Sequence, residues 1–283
     1  MSFGPLIAPE ALAAETAPYR LLDVRPAADF AAGHLAGALH AELNAGLSTA
    51  CEPGFDPARG GRHPLPSPAT WSARLGGWGI LPHTRVIAYD GSAGGNGACR
   101  LWWMLRAFGH GPVAVLEGGF QGALAAGLAV TTASSPPPAA PPYPCDRWQL
   151  PLADLAAVER RLGDPTWKTL DVRSRERWRG EVEPFDPVPG RIPGTLNLPY
   201  TENLDAIGRF RPPGELRQAY LTLLGGTPPA HLIVHCGSGV TACHTLLALE
   251  LAGLYGAALY VGSYGEWCRS ARPIGKGPAA VAR

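Results

Sequence analysis

The sequence has no excess of charge of either sign. Charged residues make up 17% of its 283 positions and the formal net charge is +1. That removes the electrostatic case for nucleic acid or an anionic membrane as a partner. There is no block of like charges. No uninterrupted apolar run approaches the ~20 residues that a membrane-spanning helix needs. The charge-free stretch from Gly118 to Cys145 is broken by glycines and a proline cluster. The opening MSFGPLIAPEALAAE lacks the basic segment and apolar core of a secretory signal. A soluble, cytoplasmic protein is expected. Cys236, Cys243 and His244 lack the thiolate pair spaced by two residues that marks a structural metal site, so no metal is expected. No Lys-Ser/Thr follows the small-residue loop at Cys236, which argues against nucleotide phosphates.

What the chain does contain is apolar bulk, at 46%, together with 36 glycines and 30 prolines. That combination implies a substantial core with many tight loops rather than disorder. The six cysteines, at 51, 99, 145, 236, 243 and 268, are scattered, so one special thiol is a better expectation than a disulfide framework.

The two halves echo one another. An apolar strand ends in Asp-Val-Arg at Asp23–Arg25 and again at Asp171–Arg173, and each is followed by a Gly-x-x-x-Gly turn, at Gly33–Gly37 and Gly190–Gly194. VIAYDGSAGGNGACRLWWMLRAFG (86–109) parallels LIVHCGSGVTACHTLLALELAG (232–253), each reading as strand, glycine-rich loop and helix. A later strand ends in Gly118–Gly119 in one half and Gly262–Ser263 in the other. Such matched spacing indicates a duplicated domain. TTASSPPPAAPPYPC, 131–145, suits a semi-rigid linker. The division expected is 1–130, a linker over 131–147, and 148–283. Leu21–Val24, Arg85–Tyr89 and Val113–Leu116 read as strands and Ala98–Phe108 as a helix. The alternation implies an α/β fold, each domain a central, mostly parallel sheet flanked by helices, with sites at the carboxyl ends of the strands.

The duplicated loops differ where it matters. Cys236 stands at the strand tip in the second half and Asp90 at the equivalent place in the first. Glycines let successive amides curl inward, and the following helix adds its positive end. Such a nest lowers a thiol pKa from its free value of about 8.5. Gly237 and Gly239 leave space above the sulfur, and Ser238 and Thr241 add hydroxyls. The bland reading is a buried cysteine beside an ordinary tight turn. The contrast with Asp90 argues against it.

CGSGVTAC after an apolar strand, together with the duplicated Asp-Val-Arg, RLWWMLRAFGH with LEGGF, and GSYGEW, resembles the tandem-domain rhodanese and 3-mercaptopyruvate sulfurtransferase family. The resemblance implies two tandem rhodanese-like domains, the first inactive and the second catalytic. It implies a persulfide cycle on Cys236, with no cofactor, in which the amides of 236–241 hold the sulfur anion. A small-molecule donor supplies the sulfur, and cyanide, a small thiol or a thioredoxin-like protein accepts it. Ser238 and Thr241 would assist. Gly237, Gly239 and Val240 would line the donor site. Members selective for thiosulfate carry a basic pair after the cysteine, so Gly237 and Ser238 favour 3-mercaptopyruvate. Of the family's two carboxylate-binding arginines, Arg177 matches the first. The second would fall within 183–186, where no arginine stands, leaving Arg179 or Arg191 as substitutes. His63 of GGRHPLP matches a relay histidine, which predicts a cleft between the domains, while Asn44 occupies the relay aspartate position with Glu42 nearby. Cys243 is expected in the core. Asp23, Arg25, Asp171 and Arg173 are expected as internal ion pairs, and Tyr264 and Trp267 as walls of the cleft.

Two rival readings differ in class. A cysteine phosphatase needs an arginine about six residues beyond the nucleophile, but position 242 is alanine and 237–242 holds no cation. The second is a non-enzymatic sulfur-carrier or binding module; Cys236 argues against a module that only binds, and a persulfide trapped by alkylation would decide.

Overall fold

The computed structural model describes residues 4–91, 97–134 and 139–278. Part of the first-half glycine loop (92–96) and part of the proline cluster (135–138) lie outside the described residues. The chain forms two compact units. One comprises 1–52, 65–150 and 206–210, the other 53–64, 151–205 and 211–283.

In the first unit the strands are β1 (Leu6–Ile7), β2 (Tyr19–Asp23), β3 (His34–Leu35), β4 (Ala38–His40), β5 (Arg85–Tyr89), β6 (Val113–Leu116) and β7 (Val130–Thr131). The five-stranded sheet runs β1-β6-β5-β2-β4 and is parallel throughout. β3 and β7 form a separate antiparallel pair. The second unit holds β8 (Leu152–Ala153), β9 (Lys168–Asp171), β10 (Leu196–Asn197), β11 (Leu232–His235) and β12 (Ala258–Tyr260), in the order β10-β9-β11-β12-β8, again all parallel. Numbered by order of appearance, the two sheets have the same topology, so the duplication seen in the motifs is a duplication of fold.

β5 and β11 lie between neighbours on both sides, which explains their continuous apolar runs. The helix after each is equally enclosed. Leu101–Leu105 of Ala98–Ala107 and Ala242–Leu249 of Thr241–Leu251 are buried on every face. Trp102 and Trp103 are thus core residues of the first unit. The described end of the proline stretch pairs with the Pro68–Gly77 helix, Ala140 donating its amide to the Gly76 carbonyl and Tyr143 to that of Ser72.

The Asp-Val-Arg motifs serve as internal braces, as expected. Arg173 donates through Nε (3.0 Å) and an Nη (2.6 Å) to Asp171 and reaches the Gly190 carbonyl at 2.8 Å. Arg25 does the same to Asp23 and the Gly33 carbonyl. Both guanidiniums lie over aromatic rings, Phe120 at 3.7 Å and Tyr264 at 4.0 Å. The charge is matched by a bidentate partner and the remaining donor by a backbone carbonyl, which makes the burial tolerable.

Candidate functional site

Cys236 leaves β11 directly into a loop whose next helix begins at Thr241. The sulfur is buried, 3.4 Å from the Ser238 amide. Burial pushes its pKa up. The Thr241 hydroxyl and the amides of Ser238 and Ala242 pull it down and outweigh burial, although the Asp171 charge opposes them. The net effect is a thiol below its ordinary range, with an acceptor position for anionic sulfur built from amides and one hydroxyl.

The loop is held from the other side by the turn after β12. Ser263 Oγ accepts the Cys236 amide at 3.2 Å and donates to the Tyr260 carbonyl at 2.8 Å. The amides of Tyr264 and Gly265 donate to the carbonyls of Cys236 and Gly237. Ser263 is the one non-glycine residue with positive φ among the described residues, at 56°; its first-unit counterpart Gly119 has the same φ of 56°. Strain of this kind persists where surrounding bonds over-determine it, as the two Ser263 hydrogen bonds do.

Asp90 shows what the first unit puts in the same place. Its Oδ2 accepts the amides of Gly97 and Ala98, both at 3.0 Å, at the start of the Ala98–Ala107 helix. A carboxylate answers the helix N-terminus where the second unit offers a thiol. The same backbone site therefore favours a negative atom in both units, a carboxylate oxygen in one and a sulfur in the other.

Two buried carboxylates, Glu183 and Asp186, hold four arginines, two of which reach the loop. Arg177 grips Glu183 through Nε (3.2 Å) and an Nη (2.7 Å), and Glu183 also accepts from Arg173 at 3.1 Å. Asp186, fully buried, pairs with Arg269 at 2.8 Å, with Arg62 at 3.2 Å and with Arg177 at 3.8 Å. A methyl group placed on Gly237 would lie 2.8 Å from an Arg62 Nη and 3.1 Å from an Arg177 Nη. Two guanidiniums thus converge on the residue next to Cys236.

Arg62 was not foreseen. It belongs to 53–64, which packs within the second unit. The signal lies in Gly60-Gly61. At Gly61, φ is +81° and a side chain would collide with the Gly262 backbone. The amide of Gly60 donates to Glu266 Oε1 at 2.8 Å. Only glycine permits that approach, and it delivers the next side chain to the loop. His63 follows immediately, half-buried, on the same segment.

The family model described as rhodanese-like domain matches residues 9–126 and 154–270. The chain belongs to the rhodanese family of sulfurtransferases, in its two-domain form. It is 42% identical over 250 residues to a probable 3-mercaptopyruvate sulfurtransferase of Pseudomonas aeruginosa, covering 86% of this chain and 84% of that one. It is 37% identical to the thiosulfate sulfurtransferase of Mus musculus, over 74% and 71% of the two chains. A 3-mercaptopyruvate sulfurtransferase structure from Leishmania major superposes with a TM-score of 0.82 at 30% identity, covering 95% of this chain and 75% of that one.

Within this rhodanese frame Arg179, Arg191, Tyr264 and Trp267 are placed otherwise than expected, whereas Cys243 lies in the core as expected. Arg179 is not brought to the loop. It lies two residues beyond Arg177 on the Arg175–Arg179 helix, which turns it to the opposite side, where it pairs with Glu181 at 2.7 Å. Arg191 stacks on Trp178 and donates to the Gly277 carbonyl at 2.6 Å. Tyr264 and Trp267 are buried props rather than cleft walls, bonded to the carbonyls of Val188 and Pro273. In the first unit Glu42 caps the Leu43–Gly46 helix and accepts from Asn44 at 3.2 Å. Cys243 is buried and donates back to the Gly239 carbonyl at 3.3 Å, as a core residue does; Val240 is buried beside it. Among the described residues no helix is long and apolar enough to cross a membrane.

The Thr241 hydroxyl is the first of the groups drawing the Cys236 pKa down. Thr241→Val removes it with little change in volume. The pH profile of iodoacetamide alkylation at Cys236 is expected to move to higher pH, because the thiolate loses a donor while burial stays. A profile that does not move would show that the amides alone hold the anion.

Proposed function

We propose that Cys236 carries the transferred sulfur as a persulfide and that 3-mercaptopyruvate is the preferred donor. One observation carries the reading. At the same helix N-terminus the first domain places Asp90 and the second a thiol of lowered pKa. In this scheme the Cys236 thiolate attacks the donor sulfur. The carbon–sulfur bond breaks, and its electron pair passes to the methylene carbon, where the adjacent carbonyl delocalises it as an enolate. That carbon takes up the proton from the donor thiol, so pyruvate leaves and the sulfur stays on Cys236 as a persulfide anion. Cyanide, a small thiol or a thioredoxin-like dithiol then removes the outer sulfur and regenerates the thiolate. The amides of 238 and 242, with Ser238 and Thr241, hold negative charge through both halves of the cycle. Arg177 binds the donor carboxylate beside Gly237, Gly239 and Val240. His63 remains a candidate relay group because it follows Arg62 on the same segment. The first domain is read as catalytically inactive. A reducing compartment such as the cytoplasm suits a free-thiol nucleophile.

Thiosulfate as main donor is the alternative reading, and the mouse relative's name supports it. Gly237 and Ser238 stand where the resemblance gives thiosulfate-selective members a basic pair, which favours the organic donor.

The test is direct. The protein is mixed with either donor, alkylated, and Cys236 is examined by mass spectrometry for one added sulfur, alongside kcat/KM for each donor. A persulfide on Cys236 from 3-mercaptopyruvate is expected. With Arg177→Ala, kcat/KM for that donor should fall roughly 10- to 100-fold, as for loss of a charge-assisted contact. If neither donor leaves sulfur on Cys236, the reading is wrong.

A further inference from the structure

The stretch 183–186 lacks the second arginine that the resemblance calls for and carries two carboxylates instead, Glu183 and Asp186. Those carboxylates do not leave the site short of positive charge. Each is buried, and each holds arginines from elsewhere in the chain. Asp186 faces the Nε of Arg62, and this sets the outer end of that guanidinium, whose Nη points at the Gly237 position. Glu183 takes the Nε and one Nη of Arg177, and the Nη groups of Arg177 point at the same position. Two guanidiniums converging on one point repel unless something negative lies between them or beneath them. Glu183 and Asp186 lie beneath. The place between them, at Gly237 and so one residue along the loop from Cys236, is where an anion from outside would meet both. Arg62 and Arg177 retain 24% and 16% side-chain exposure, so that place opens to solvent.

We propose that Arg62 is the second cation of the donor site, and that Arg62 and Arg177 together take the carboxylate of a 2-oxo-3-thiol acid. This rests on the sulfur-transfer reading above. The cation that 183–186 would have supplied comes instead from the 53–64 segment, aimed by Asp186. Gly61 is required for the same reason, since a side chain there would strike the Gly262 backbone, and the Gly60 amide fastens the segment to Glu266 at 2.8 Å. Phe185 marks the vacated place. Its ring is 61% exposed and lies 5.2 Å from the Arg62 guanidinium carbon and 5.1 Å from that of Arg177.

The test uses that geometry. Arg62→Ala should raise KM for 3-mercaptopyruvate roughly 10- to 100-fold while kcat stays within about threefold, because the contact is made in substrate binding. Phe185→Arg in the Arg62→Ala background should recover most of the loss by returning a guanidinium to the same spot. Thermal melts of each variant accompany the kinetics. The assignment is overturned if KM is unchanged. It is equally overturned if kcat falls alike for both donors with a lowered melting temperature and Phe185→Arg restores nothing, since Arg62 would then only fasten its segment to Asp186. Persulfide formation on wild-type Cys236 separates the two levels. If it is absent, the sulfur-transfer reading falls, and the Arg62 proposal with it. If it is present with KM indifferent to Arg62, only the Arg62 assignment fails.

Discussion

Cys236→Asp is expected to give a folded protein that transfers no sulfur. The variant reproduces in the second domain what the first already has. Asp90 Oδ2 accepts two amides at 3.0 Å from the start of its helix, and the 238 and 242 amides stand ready for the same use at position 236. A carboxylate there meets the positive end of the Thr241–Leu251 helix, an interaction worth about 0.3–1 kcal/mol and up to ~2 when partly buried. The melting temperature should therefore hold or rise. A carboxylate cannot accept sulfur to form a persulfide, and loss of a covalent nucleophile costs roughly 10⁴-fold or more in rate. Cys236→Ser makes the companion case, with a neutral group in place of the anion; it should be equally inactive and no more stable than wild type. Calorimetry and a thiocyanate assay check both. Residual turnover by Cys236→Asp would mean that sulfur travels by another residue.

Much of this was legible in the sequence because duplication supplies an internal control. The strands at Arg85–Tyr89 and Val113–Leu116 fall where the apolar runs place them, and the paired Asp-Val-Arg motifs become the same buried brace twice. The difference between Asp90 and Cys236 was readable because everything around it matched. What could not be read was contact between residues far apart in the chain. Arg62 precedes Asp186 by more than a hundred positions, and no periodicity links them. The two adjacent glycines hinted at a backbone pressed against something, without saying that it was Gly262. Arg179 misled for the opposite reason. It stands close to Arg177 in sequence, yet two residues of helix turn a side chain through about 200°. Glu183 and Asp186 read as the wrong charge for an anion site, because a buried carboxylate that aims an arginine is indistinguishable in sequence from one that repels a substrate.

Alanine at the two loop glycines should separate the roles of loop shape and loop mouth. Gly239 has φ +71°, and a methyl there would sit 2.5 Å from the Val261 carbonyl oxygen and 3.0 Å from its Cα. Backbone atoms cannot rotate aside, so either the loop or the β12 turn must move. That turn carries Ser263, whose hydroxyl accepts the Cys236 amide. Displacement therefore disturbs the sulfur from both sides. Gly239→Ala is expected to cost about 2–4 kcal/mol of stability, from left-handed strain plus a backbone clash. It should lower kcat/KM about 10³-fold through loss of aligned amides, since one such donor alone is worth ~10²–10³. Gly237→Ala meets a different obstacle. The nearest atoms to its methyl would be Nη atoms of Arg62 and Arg177, at 2.8 and 3.1 Å. Those are the far ends of flexible side chains, and they can retreat. Stability should change by less than about 1 kcal/mol, while KM for the carboxylate donor rises and the alkylation profile of Cys236 stays in place. Chemical unfolding, donor kinetics and thiol titration of the two variants measure each part. If Gly237→Ala destabilises as much as Gly239→Ala, the guanidiniums are rigid structural posts. If instead it leaves KM untouched, the space above Gly237 is not where the donor's carboxylate binds.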